Sequence, residues 1–318
     1  MFSSKSEYKP SLSSSAFHVQ VIRNGIIESI HKVHAVVCDS QGKTLMHLGD
    51  YTYQSFIRSA LKPFQSIPFI TTGLINENTY TREHLAIACA SHDGTPIQVR
   101  SVLALLKQAD ISTSLLQCPT PTGRTSPLEH NCSGKHASFL VTCKYMNWEL
   151  ETYLNRNHPL QQVIYKYICN LLGVNERELI IACDDCGAPT LNLPLCDIAH
   201  LYAHLNNFSQ REIQILSKAM IEYPLMVAGN GRFDTELMRR GFNQVLSKGG
   251  AEGIQCISHL REGIGIAIKV EDGSRRAKQA AAIHILKKLQ WLGKRELEIL
   301  EEQFLIINKN VVLTVREA

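Results

Sequence analysis

Strand-forming sequence stands at both ends of this chain and helix-forming sequence lies between, and that distribution limits how the chain can fold. Residues 17–50 are β-rich: 18–22 form a first strand, Arg23-Asn24-Gly25 is a turn signal, and 26–30 follow. A hairpin comes next, 34–38 and 44–48, joined through Asp39-Ser40-Gln41-Gly42-Lys43. Strand character returns at 244–247, 253–257 and 265–270, and once more at 310–315. Between them, 82–90, 96–109, 134–145, 158–172 and 209–221 read as helices, with apolar residues at three- and four-residue steps. The stretch 59–72 is interrupted by Pro63 and Pro68, which shorten or kink its helix. Residues 119–131 form a Pro/Thr/Ser loop, and 275–289 a long amphipathic helix.

Strands so far apart in sequence meet in one sheet built from both chain ends. The expected fold is α/β: an antiparallel sheet from about 17–58 and 244–318, with a helical lobe of about 59–243 inserted. The helix at 275–289 covers the sheet, and a cleft opens between sheet and lobe. A Ser-rich stretch, 1–16, reads as a disordered leader, and 17–318 as one catalytic domain.

With 44% hydrophobic and 19% charged residues, the chain reads as a globular protein with a substantial core. A net charge of +4, dispersed along the sequence, argues against nucleic acid as a partner. No apolar run approaches the roughly 20 residues of a membrane span, so no membrane partner is expected. Ten cysteines in a chain with no export signal read as reduced thiols, which makes the expected compartment cytoplasmic. Cys89, Cys143 and Cys169 stand among apolar neighbours as small core residues.

The chemistry is concentrated in four motifs. In Arg58-Ser59-Ala60-Leu61-Lys62-Pro63, a serine and a lysine stand three residues apart where strand gives way to helix. Such positions share a helix face, and an unprotonated lysine can take a serine's proton. The same spacing occurs at Ser6/Lys9, Ser29/Lys32 and Ser40/Lys43, so by itself it singles out nothing. Ser40/Lys43 falls in a hairpin turn, and Ser29/Lys32 on or just after a strand, where residues three apart face opposite sides.

Two further motifs favour the Ser59 copy. Cys89-Ala90-Ser91-His92-Asp93-Gly94 ends an apolar helix, where Ser91 is either a cap-region residue or a hydroxyl entering the cleft. Ser247-Lys248-Gly249-Gly250-Ala251-Glu252-Gly253 puts a lysine on a strand ahead of paired glycines, whose backbone can approach a ligand or an oxyanion. Ser-x-x-Lys, a second serine and then Lys-Gly-Gly follow the order of the penicillin-recognising hydrolases. The fourth motif joins Asn131-Cys132-Ser133-Gly134-Lys135-His136 with Cys183-Asp184-Asp185-Cys186-Gly187-Ala188-Pro189. Cys183-x-x-Cys186 lacks the βαβ setting of a redox pair. With no second Cys-x-x-Cys knuckle, what remains is a mixed zinc site of Cys132, Cys186 and one nitrogen or oxygen ligand, or else simply buried thiols.

These blocks, with Phe64-Gln65, Pro224-Leu225-Met226-Val227-Ala228-Gly229, Gly231-Arg232, His34-Ala35-Val36-Val37 and Ile268-Lys269-Val270-Glu271-Asp272-Gly273, resemble the rhizobial-type L-asparaginases (asparaginase II, class 3). The resemblance runs in order over about 17–290. It implies a serine-β-lactamase/penicillin-binding-protein-like fold, a homodimer, and hydrolysis of L-asparagine to L-aspartate and ammonia. Position by position, it implies one Ser–Lys pair at Ser59 and Lys62, a second at Ser91 and Lys248, and a zinc site at Cys132, Lys135 and Cys186 supported by Asp184. Arg58, His92, Asp184, Gly250 and Glu252 are expected at the substrate, with Arg58 and Glu252 meeting its α-carboxylate and α-ammonium. Asp185 stands where the family commonly has glycine, Asp93-Gly94-Thr95 differs after Ser-His, and the chain after Leu292 matches poorly.

On this reading Ser59 attacks the carboxamide carbon while Lys62 takes the proton. A free lysine titrates near ~10.4, so a lysine base needs desolvation and a nearby cation, for which Lys248 is the candidate. The N–H groups of Ser59 and Gly250 would hold the oxyanion, and Ser91 would relay a proton to the departing ammonia. The alternatives are a penicillin-binding or β-lactamase-type acyl hydrolase and a non-catalytic zinc or thiol protein using Cys132, Cys183 and Cys186.

Overall fold

The computed structural model describes residues 12–13, 17–75, 79–206 and 209–317, so most of the leader expected at 1–16 lies outside the described residues. The first strands are β1 (Leu12–Ser13), β2 (Phe17–Arg23), β3 (Ile26–Asp39), β4 (Thr44–Leu48) and β5 (Gln54–Phe56). Mid-chain come β6 (Ile180–Cys183) and β7 (Pro189–Pro194). The chain ends with β8 (Val245–Gly249), β9 (Ile254–His259), β10 (Ile264–Val270), β11 (Ile306–Asn308) and β12 (Val311–Arg316).

Among the described residues, one 9-stranded sheet runs β11-β12-β2-β3-β10-β9-β8, with β4 added on β3 and β1 on β4. Its pairs are antiparallel apart from β1 with β4. β3 joins the two chain ends. Its first half pairs with β2, and its second half lies between β4 and β10, in a register from Val33↔Val270 to Asp39↔Ile264. The expected breaks at 30 and 34 are therefore one continuous strand. This sheet-plus-lobe arrangement is assembled from both ends of the chain, as the strand pattern required.

The helices are α1 (Lys62–Gln65), α2 (Ile67–Thr71), α3 (Arg82–Ala88), α4 (Pro96–Gln108), α5 (Ser133–Tyr145) and α6 (Pro159–Leu172). After them come α7 (Leu195–Ala203), α8 (Arg211–Glu222), α9 (Pro224–Val227), α10 (Phe233–Arg240), α11 (Arg275–Leu289) and α12 (Lys294–Leu305). The sheet is covered on both faces. Ala35 and Val37 of β3, with Ile266 and Ile268 of β10, share a core with Ala277, Ala281 and Ile285 of α11. The alternate residues Val36, Cys38 and Ala267 join the lobe's core with Ile198, Ala199 and Tyr202 of α7. A strand buried on both faces carries no polar stripe, so 35–38 reads as a solid apolar run.

Two features depart from the expected boundaries. β5 lies outside the main sheet and heads a 3-stranded sheet β5-β7-β6 at the edge of the lobe. The segment 183–189 is the loop of its β6–β7 hairpin, closed by Cys183↔Pro189. Short strands with an exposed Ile180 and a cysteine-rich turn carry little alternation, so motif chemistry masked the hairpin. Helices α7 and α12 were also unexpected.

Inside the lobe, α5 is buried along nearly its whole length, from Ser133 to Cys143. Gly134 permits this packing, because a Cβ there would lie 2.1 Å from the Ile87 carbonyl oxygen of α3. That crossing brings the Asn131–His136 segment against the end of α3, where Ser91 emerges.

Candidate active site

A cavity of about 980 Å³ lies between the sheet and the lobe, and its walls include Ser59, Ser91, His92, Asn131, Gly250 and Ala251. Ser59 is placed by a strained turn. Arg58 takes φ +51°, a left-handed value uncommon outside glycine that costs about 1–3 kcal/mol. Its N–H donates to Thr190 Oγ1 at 3.1 Å and its guanidinium to Asp184 Oδ1 at 2.6 Å and Asp185 Oδ2 at 2.5 Å. These contacts hold the turn, and the Arg58–Leu61 3₁₀ turn and α1 begin there. Behind it, Tyr202 Oη donates to the Ala60 carbonyl at 2.7 Å.

The lysines meet at Ser91. Lys62 Nζ donates to the Ala90 carbonyl at 2.5 Å and the Asn131 carbonyl at 3.3 Å, and lies 3.1 Å from Ser91 Oγ. Lys248 Nζ lies 2.8 Å from the same Oγ and 2.7 Å from the Gly249 carbonyl. Both lysines are fully buried. The two Ser–Lys pairs expected from spacing are thus one chain, Lys62–Ser91–Lys248. Ser59 Oγ stands apart from it, with no hydrogen-bond partner among the described residues. The separation follows from local geometry: Ser59 sits on a 3₁₀ turn and Lys62 begins a new helix, so the side chains do not stack as they would along one α-helix. Burial, and then the neighbouring Lys62, lower Lys248 to about 7, against the pull of Asp234. Lys248, for which the role of cation was expected, is thus a lysine whose hold on its proton burial weakens.

His92 lines the cavity but is already committed. Its Nδ1 accepts from the Gly94 N–H at 3.0 Å, which leaves the hydrogen on Nε2 to donate to Ser133 Oγ at 2.9 Å. Burial, and then Lys62, hold it neutral by lowering it to about 3. Gly250 also lines the cavity, and a Cβ there would lie 2.3 Å from Ile254 Cγ2. Its N–H, however, donates to the Ile254 carbonyl at 2.9 Å and is spent. Among the described residues, the N–H groups of Ser59 and Ala251 have no acceptor.

Arg58, Asp184 and Glu252 are absent from the cavity walls. Arg58 and Asp184 neutralise one another, and Asp185 turns into solvent with its side chain 88% exposed. Glu252 adopts φ +55° in the β8–β9 turn, which carries its carboxylate against Gly273. The three thiol-end residues do come together. Lys135 Nζ donates to Cys186 Sγ at 3.2 Å, and the Cys186 thiol bonds Cys132 and holds it well below the ordinary thiol range. All three are buried.

Sequence reasoning missed Asp234 and Lys278. Asp234, half-buried at the start of α10 and on the cavity wall, accepts from Ser247 Oγ at 2.7 Å, Gln255 Nε2 at 2.8 Å and the Gly249 N–H at 2.9 Å. Those contacts grip β8 on both sides of Lys248. Burial would raise Asp234, but Lys248 and these donors lower it instead. An acid near a helix start looks like ordinary N-terminal polarity. Lys278 left a clearer trace, a lysine on the alanine-rich face of α11.

The L-asparaginase II family model matches residues 19–316, which takes in the C-terminal segment expected to match poorly. No curated protein matches the chain. Among solved structures, a Bacillus glutaminase is 12% identical over 82% of this chain and 91% of its own, with a TM-score of 0.38. A β-lactamase from Mycobacterium bovis is 11% identical over 80% and 94%, with a TM-score of 0.39. EstCE1, a hydrolase with promiscuous acyltransferase activity, is 11% identical over 80% and 88%, with a TM-score of 0.35. Likenesses at these scores carry no argument, and the assignment rests on the family match over nearly the whole chain. The chain belongs to the L-asparaginase II family of amidohydrolases.

Proposed function

We propose that the protein hydrolyses L-asparagine to L-aspartate and ammonia through an acyl-enzyme on Ser59. The observation that carries this reading is Ser91 Oγ held between two buried lysine amines at the wall of the cavity onto which Ser59 opens. Ser59 Oγ attacks the side-chain carboxamide carbon, and its proton enters the Lys62–Ser91–Lys248 chain through Lys62. Lys248, with its lowered proton affinity, lets that chain take up a proton near neutral pH. The N–H groups of Ser59 and Ala251 face the developing oxyanion, and losing one such donor costs about 3–4 kcal/mol of transition-state stabilisation. Collapse of the tetrahedral intermediate breaks the C–N bond, and the chain returns the proton through Ser91 to the leaving ammonia. Water then attacks the aspartyl ester and gives a proton to the same chain, which returns it to Ser59 Oγ as the ester C–O bond breaks and aspartate leaves.

The buried Cys132, Cys186 and Lys135 cluster suits zinc, since two thiolates and one amine form a soft, compact donor set. The third protein ligand would be Lys135, whose Nζ lies 3.2 Å from Cys186 Sγ. When bound, the metal would supply a positive centre that orients substrate. A homodimer fits the exposed isoleucines Ile26, Ile27, Ile30, Ile306 and Ile307 at the β3 and β11 end of the sheet. A reducing, cytoplasmic setting fits ten free thiols.

A coupled assay for ammonia tests the reading. Wild type should release ammonia from asparagine, Ser59→Ala should lose at least about 10⁴-fold in kcat, and Ser91→Ala should retain a slow acyl-enzyme. Turnover of a β-lactam reporter without ammonia release from asparagine would instead indicate the penicillin-recognising alternative. Full activity in Ser59→Ala, with none in Ser91→Ala, would transfer the nucleophile to Ser91.

A further inference from the structure

We infer that Lys278 is a positioning residue that fixes and polarises the Gly250–Ala251 peptide so that Ala251 N–H serves as an oxyanion donor. The inference rests on the acyl-enzyme reading above. Lys278 Nζ, on α11 and itself part of the cavity wall, donates to the Gly250 carbonyl at 2.6 Å and the Ile254 carbonyl at 2.9 Å. The Gly250 carbonyl and the Ala251 N–H belong to one planar trans peptide and point in opposite directions. Anchoring the carbonyl therefore sets the direction of the N–H.

An ammonium on the carbonyl also withdraws electron density through the amide, which strengthens the N–H as a donor in a low-dielectric site. The rest of the turn is gripped in the same sense. Gly250 N–H donates to the Ile254 carbonyl, and Gly249 N–H to Asp234 Oδ2 at 2.9 Å. Gly249 gives the lysine room, since a Cβ there would lie 3.0 Å from Lys278 Nζ and 2.8 Å from Gln255 Oε1. Lys278 is only 7% exposed, and burial lowers it to about 8 against the pull of Asp234, which leaves it largely charged at neutral pH. A lysine serving only to pin the turn would need no ammonium on the very peptide whose N–H lies free at the cavity wall.

The test compares a transition-state probe with a ground-state one. L-Aspartate β-semialdehyde adds to a serine hydroxyl and places a developing oxyanion in the hole, whereas the product L-aspartate does not. Lys278→Met should lower kcat for asparagine by about 10-fold, less than the loss of a whole donor, with KM changed by less than about threefold. It should weaken the semialdehyde by a similar factor and leave aspartate inhibition unchanged, and Lys278→Arg should recover most of both losses. If Lys278→Met does not fold, Lys278→Gln, which keeps a neutral donor, is read in the same way. Equal weakening of semialdehyde and aspartate, or an unchanged kcat, overturns the inference. Absence of ammonia release from the wild-type protein would overturn the acyl-enzyme reading and this inference together. An active wild type with an unaffected Lys278→Met overturns the inference alone.

Discussion

The two ends of the site bury lysines among different partners. At the hydroxyl end, Lys62 and Lys248 meet carbonyls and Ser91, and among the described residues neither forms an ion pair. At the thiol end, Lys135 donates to Cys186, a group that can itself ionise. Burial alone would lower Lys135, but Cys186 and Cys132 beside it raise it. Lys248 has Asp234 and, more weakly, Cys132 pulling the other way, and burial with Lys62 still takes it to about 7. An uncompensated buried amine gives up its proton early and suits proton transfer; a compensated one keeps its proton until something displaces it, such as a metal.

The largest effect that would break this contrast is at Lys248. Lys248→Met removes one holder of Ser91 while leaving Lys62 in place, and should lower kcat by about 10²–10⁴-fold, the usual range for a general acid–base group. Ammonia release within a few-fold of wild type would show that the proton does not use this lysine.

A smaller effect sharpens the same point. Lys248 serves as the acceptor when neutral, so it is protonated and silent below about 7 and active above it. kcat/KM should therefore rise as pH increases through about 7. The charged groups acting on it are Lys62 from α1, Asp234 from α10, Lys278 from α11 and Cys132 ahead of α5. Asp234→Asn deletes the one carboxylate among them, which favours the charged amine, so the rising limb should move to lower pH. A limb that stays put, or moves to higher pH, would mean another group sets the profile.

Part of this was legible beforehand. Strand patterns at 18–22, 34–38, 44–48 and 265–270 placed the sheet, because alternation and turn residues are local properties. The order Ser59, Ser91, Lys248 picked out residues that the fold gathers: Ser59 and Ser91 line the cavity, and Lys248 lies on Ser91. What failed were inferences about direction: Arg58 and Glu252 have the right charges, but a positive φ at each aims the side chain elsewhere, and no spacing rule reports φ. Gly250 lines the cavity, yet its N–H is spent on the Ile254 carbonyl, and the N–H without an acceptor among the described residues is that of Ala251. Asp234 and Lys278 reach the β8 segment through contacts that exist only once α10 and α11 have packed against it.

The smallest expected effect lies at the thiol end. Cys186→Ser leaves Ser59, Ser91, Lys62 and Lys248 untouched and replaces a soft sulfur with a hydroxyl that binds zinc poorly. Zinc measured by elemental analysis of the purified protein should fall. If the metal orients substrate, KM for asparagine should rise, by about 10-fold, while kcat changes less. The separation of KM from kcat is the informative quantity, because the hydroxyl end alone is expected to set kcat. A fall in kcat as deep as that of Lys248→Met, at unchanged KM, would put the thiol end inside the chemical step. The contrast between compensated and uncompensated lysines would then no longer divide binding from catalysis.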